Sequence, residues 1–180
     1  ARKGTEMFQT FEETSRPDQG PSRLVALRTA MAAAGVDAFL VPRSDAWQGE
    51  YVAPCDERLS WLTGFTGSAG ICAVTADQAG VFIDGRYTVQ VRSQVDLDVF
   101  TPVAWPATRP GAWLAEQMDS GVVGYDAWLH TVSDIKALKA ALDPVGLELK
   151  AVDNLVDAVW EDRPGPPEAP SDLPRHPAHA

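Results

Sequence analysis

The sequence predicts an α/β fold, a mixed sheet of about six short strands flanked by helices. Leu24, Leu27 and Met31 recur at helical spacing, Gly35 follows as a stop, and an apolar run over 38–41 comes directly after. Helix, glycine, turn and buried strand is the rhythm of a layered α/β protein. Further on, two apolar runs over 71–74 and 81–83 enclose the polar connection 76–80, which reads as a β-hairpin. Between residues 112 and 160, short helical patterns then alternate with short apolar runs.

Each element has its local reason. Ser22 fits the N-cap of the first helix, whose gaps are filled by alanines, and Gly35 suits a left-handed C-cap. Pro42 ends the first strand. Residues 43–54 are polar and aromatic together, too irregular for a helix, and read as a loop. Asp56 fits the cap of a short helix that stops at Gly64, before the glycine-rich turn 64–70. Residues 86–95 suit a helix weakly, because their β-branched side chains compete. A strand is expected over 97–101, and Pro102, Pro106 and Pro110 make 102–111 a loop. The remaining elements are a helix over 112–118, a strand over 122–125, a helix capped by Ser133, a last strand over 147–152 and a short helix over 154–160.

The chain divides into a flexible N-terminal segment (1–21), one folded domain (22–160) and a proline-rich linker or disordered tail (161–180), which carries six prolines in its 20 residues. At 180 residues, with 45% apolar and 22% charged side chains, it is too apolar for a disordered protein. Asp and Glu number 25 against 15 Lys and Arg, a net charge of −10. This argues against a nucleic-acid binder or a ligand of anionic membranes, both of which need clustered cations. No apolar run reaches the roughly 20 residues of a transmembrane helix. The first 20 residues lack the apolar core of an export signal, so the cytoplasm is the expected setting and Cys55 and Cys72 are expected as free thiols.

Candidate chemistry is sparse. His176 and His179 lie in the tail, and His130 reads as a lone surface histidine, so a metal site within this chain is not expected. Cys72 reads as a small core residue, and Cys55 is read as structural. Ser68 lacks the strand–turn–helix setting of a nucleophile elbow. Two clusters stand out: the loop containing Trp47, Glu50 and Tyr51, and the turn Asp84-Gly85-Arg86-Tyr87 at a strand end. By pattern alone, Asp84 caps the following helix and Arg86 makes a structural ion pair. The competing reading gives Arg86 a carboxylate ligand.

At these residues the chain resembles the N-terminal domain of the Xaa-Pro aminopeptidases, in their long three-domain form. The likeness rests on SDAWQGEYVAPCDERLSWLTGFTGSAG, VFIDGRYTVQ, GVVGYD and NLVDAVWEDRPGPP, and runs from about Arg23 to Pro164. The resemblance implies a creatinase-type, ribonuclease H-like α/β domain. It implies a parent enzyme that removes an N-terminal residue preceding proline. Such a parent uses two divalent metal ions, usually manganese, held in a C-terminal domain that this sequence lacks; no cofactor is expected in this chain.

The function expected is therefore that of a noncatalytic domain shaping substrate access and domain or subunit contacts. Asp84, Arg86, Tyr87, Trp47, Glu50 and Tyr51 would form its substrate-binding or domain-interface surface. Its expected partners are the other domains of the polypeptide, peptides with proline second, and a second copy in a homodimer of the parent. The alternatives are a stand-alone interaction module that kept the fold, or a domain of a proline dipeptidase or other creatinase-type hydrolase.

Overall fold

The computed structural model describes residues 17–49 and 52–166. Helix α1 (Gly20–Ala34) turns Leu24, Leu27 and Met31 inward and ends at Gly35, whose φ of 71° supplies the left-handed cap. The helix starts two residues before the expected cap. Pro17–Gln19 form a 3-10 turn that leads into it, and Ser22 Oγ donates to the Gln19 carbonyl.

Strand β1 (Ala38–Pro42) is buried along its whole length. Continuous burial demands cover on both faces of the sheet. Phe39 and Val41 join one apolar cluster, Ala38 and Leu40 the other. Helix α2 (Arg58–Thr63) ends at Gly64. Asp56 does not cap it: it lies in the preceding 3-10 turn (Pro54–Asp56) and pairs with Arg58 and Arg163.

The hairpin of β2 (Ile71–Thr75) and β3 (Ala79–Ile83) forms as expected, in antiparallel register. A 3-10 turn (Gly85–Tyr87) opens helix α3 (Thr88–Gln94). The next strand lies further along than the sequence suggested: β4 is Thr101–Ala104 and includes Pro102. The reason is its place in the sheet. Among the described residues β4 pairs only with β3 and forms an outer edge, where a proline without an amide N–H is tolerated.

Helix α4 (Pro110–Gln117) begins with proline in its first turn. After β5 (Gly121–Tyr125) comes α5 (Val132–Leu142). Its N-cap is Thr131 rather than Ser133, because Asp134 completes a reciprocal capping box with Thr131. Strand β6 (Leu147–Ala151) and helix α6 (Leu155–Val159), capped by Asn154, finish the domain.

The sheet order is β4-β3-β2-β1-β5-β6. Pairing is parallel for β1 with β5, β5 with β6 and β3 with β4, and antiparallel on both sides of β2. Five strands thus run one way and β2 runs back. Helices α1, α2, α3 and α6 cover one face, α4 and α5 the other. Burying each large apolar side chain between these layers stabilises the fold by about 1.5–3 kcal/mol. The chain leaving the last helix is tied down: Trp160 stacks on Trp61 at 5.4 Å, and Arg163 Nε donates to the Cys55 carbonyl at 2.7 Å.

Candidate functional site

The strand directions gather one set of loops. The C-terminal ends of β1, β3, β4, β5 and β6 and the start of β2 lie along a single edge of the sheet. Open α/β sheets bind ligands along such an edge. Three tryptophans stand exposed on its loops: Trp47 after β1 (88% exposed), Trp105 after β4 (44%) and Trp128 after β5 (78%).

Asp84 leaves the end of β3 and folds back on its own turn. Its Oδ1 accepts the Arg86 N–H at 2.8 Å, and Arg86 Nη2 donates to Oδ2 at 2.8 Å. The Arg86 side-chain and backbone bonds hold the Asp84 carboxyl below the usual carboxylate range, and Asp84 raises the Arg86 guanidinium in return. Arg86 also lies over the Tyr87 ring at 5.3 Å and keeps 73% of its side chain in solvent. The Tyr87 hydroxyl meets Ser68 Oγ and accepts the Ser68 N–H at 3.3 Å, and its ring stands edge-on to Phe65.

The Ser68 carbonyl in turn accepts from Arg43 Nη1 at 2.9 Å, and Arg43 Nη2 pairs with Glu57 at 2.9 Å. Burial pushes the Glu57 carboxyl up, against the pull of Arg43. One polar chain therefore runs from Asp84 through Arg86, Tyr87, Ser68 and Arg43 to Glu57. No local motif marks Arg43 and Ser68, because it is the sheet that joins these residues, 25 apart in sequence.

Trp47 sits on the adjacent loop. Buried Asp45 organises that loop by accepting the N–H groups of Trp47 and Gly49 at 3.0 and 3.1 Å. Glu50 and Tyr51 lie outside the described residues. Trp105 links the two clusters, since it lines a hollow with Asp84 and a larger groove with Gln48.

His130 is not the surface residue expected from the sequence. It lines that groove, stands edge-on to Tyr125 at 5.8 Å, and its Nε2 is buried without a hydrogen bond. Burial pushes the imidazole below its ordinary value, against the opposite pull of Asp134 and Asp126.

The candidate nucleophiles have no activating partner among the described residues in this arrangement. Ser68 faces a phenol instead of a base. Burial pushes the thiols of Cys55 and Cys72 up, away from the thiolate a nucleophile needs. Nor do these residues fit the two metal ions that the resemblance implies for the parent: among the described residues, no three His, Cys, Asp or Glu side chains converge on a point. No described helix is long and apolar enough to cross a membrane.

Comparison with known proteins agrees with this fold. The family model of the Creatinase/Prolidase N-terminal domain matches residues 23–159. A probable Xaa-Pro aminopeptidase P of Arthroderma otae is 39% identical over 162 residues, covering 84% of this chain and 25% of the relative. The chain thus spans about a quarter of the length of the curated relatives it matches. An X-prolyl aminopeptidase from Caenorhabditis elegans, described as a cytosolic enzyme with a di-nuclear active site, superposes with a TM-score of 0.75 at 30% identity, over 81% of this chain and 26% of that one. The N-terminal domain of the cytoplasmic peptidase PepQ from Mycobacterium tuberculosis gives 0.59 at 29% identity, over 77% of this chain and 98% of its own. The resemblance seen in the motifs holds in sequence and in fold: this chain belongs to the Creatinase/Prolidase N-terminal domain family.

Proposed function

We propose that this chain is the noncatalytic N-terminal domain of a metal-dependent Xaa-Pro aminopeptidase, and that its tryptophan-bearing sheet edge faces the catalytic part and the peptide. The observation that carries the reading is the gathering of Trp47, Trp105, Asp84, Arg86 and Tyr87 on one edge of a domain that is 39% identical to part of a probable Xaa-Pro aminopeptidase P. The partners are the remaining domains of the same polypeptide, and a second copy in a homodimer. The metal ions, manganese in this reading, belong to the remainder of the enzyme. The similar enzyme from Caenorhabditis elegans, described as cytosolic with a di-nuclear active site, supports that assignment and a cytosolic setting.

The physical logic is access control. A peptide with proline second is kinked and lacks one amide donor. A rigid edge of aromatic and cationic groups beside a cleft admits a narrow extended chain and excludes a folded protein. The test is expression of the complete reading frame and assay on Xaa-Pro peptides with manganese. Cleavage by the long polypeptide, with none by this chain alone, is expected. A reading frame that stops near residue 180 would move the assignment to a stand-alone interaction module. Metal-dependent turnover by this pure chain would refute the noncatalytic role.

A further inference from the structure

The groove under Trp105 holds about 410 Å³, within the range of small-ligand sites, roughly 300–1,000 Å³. It opens where the end of β1 meets the starts of α4 and α5. Ile71, Trp105, Leu129 and Leu138 give it apolar walls.

Some of its polar groups lack a partner. Arg109 lines it and makes no ion pair or side-chain hydrogen bond with any described residue. Arg43 and His130 line it too, and Arg43 Nε and His130 Nε2 are both buried without a hydrogen bond. Buried polar atoms are nearly always satisfied, so the Arg43 Nε donor calls for an acceptor in this cavity and His130 Nε2 for a hydrogen-bond partner. The groove also holds one carboxylate, Asp134, whose Oδ2 accepts the Thr131 N–H at 3.0 Å within the capping box. The other polar groups are occupied as well, with Ser44 Oγ donating to the Leu129 carbonyl and Gln48 Nε2 to the Asp45 carbonyl.

We propose that this groove binds the C-terminal end of a short peptide, an apolar side chain against Trp105 and Leu138 and the free carboxylate toward Arg109 and His130. An apolar residue ending in a carboxylate matches apolar walls with an uncommitted guanidinium at the rim. The choice of a peptide as ligand rests on the aminopeptidase reading; the call for an acceptor rests on Arg43 Nε and the unpaired Arg109 guanidinium in the groove.

The test is an NMR titration of the labelled 180-residue chain at pH 7.5 with Ala-Ala-Leu and with the same peptide as its C-terminal amide. The expected result is saturable shifts around residues 109–112 and 129–137, with the amide binding about tenfold more weakly, as loss of one charge-assisted hydrogen bond dictates. Arg109→Gln, at an exposed position, gives the same loss. Ala137→Glu places a repelling charge on the exposed side of α5 at the groove and abolishes binding. Equal affinity for acid and amide overturns the proposal, as do shifts confined to other surfaces or no saturation at millimolar peptide. Carboxylate-dependent binding together with an inactive long polypeptide would keep the groove and remove the aminopeptidase reading. Active long enzyme with no carboxylate dependence would do the reverse.

Discussion

Arg58 grips Asp157 across 99 residues of sequence, Nε to Oδ1 at 2.7 Å and Nη2 to Oδ2 at 3.0 Å. Arg58 is buried at the start of α2, and Asp157 lies in the first turn of α6. Burial alone would lower the guanidinium's pKa; the bonds to Asp157 overcome this and raise it. Arg163 pairs with the same carboxylate at 3.3 Å. The pair thus fixes both the last helix and the path of the chain beyond it. Asp157→Ala leaves the buried cation with Asp56, at 3.4 Å, as its remaining ion pair among the described residues. A loss of about 3 kcal/mol is expected, read as a lower urea midpoint. A shift within error would show that Asp56 suffices.

Two glycines with left-handed backbone differ in what surrounds them. Gly35 has φ +71° and open space where a Cβ would go; Gly64 has φ +88° and the Gln94 carbonyl oxygen 2.3 Å from that point. Gly35→Ala is expected to cost about 1 kcal/mol from backbone strain alone. Gly64→Ala carries that strain and must also displace α3, so its loss of stability is larger. Thermal unfolding of the two variants side by side checks the order.

His130 predicts a pH dependence. Its pKa is lower in the fold than in the unfolded chain, because burial disfavours the charged form. Between the two values the unfolded chain holds more protons. Its contribution is therefore complete above about pH 6.5 and is lost as pH falls through the folded value. His130→Gln removes this sensitivity. The gap in urea midpoint between native and variant chains narrows in favour of the variant from pH 7.5 to 5. A gap independent of pH would contradict the assignment.

Arg86→Ala separates folding from recognition. The Asp84 carboxylate still caps the turn, and the lost ion pair is solvent-exposed, so the unfolding midpoint of this chain stays where it is. If the proposed function holds, the same change in the long polypeptide is expected to lower kcat/KM or loosen domain association. Unchanged turnover, affinity and association together would remove Arg86 from the proposed surface.

Cys55 and Cys72 are both buried free thiols whose ionisation burial opposes. Neither should react with an aromatic disulfide reagent in the native chain, and both should react in urea. Rapid labelling of native protein would place a thiol at the surface.

Much of this structure was legible in local patterns. The hairpin over residues 71–83 follows from two apolar runs around a turn, and Asn154 caps its helix through its own side chain. Errors fell where two local signals competed. Ser133 resembles a cap, but Thr131 has Asp134 three residues on and forms the closed box. Pro102 resembles a loop residue, but on an outer strand its missing donor costs no ladder bond.

The candidate site was legible only in part. Asp84, Arg86 and Tyr87 share one turn and could be picked out together; Ser68, Arg43, Trp105, Arg109 and His130 could not, because no spacing rule relates them. By itself the sequence determined the α/β class, most of the strands and helices and the family, since these depend on periodicity, caps and contiguous motifs. Tertiary structure decided the strand order, the common edge and the groove. Those depend on β1 pairing with β5 across 85 residues, and a contact that distant is set by the packing of both sheet faces, which no local stretch of chain encodes.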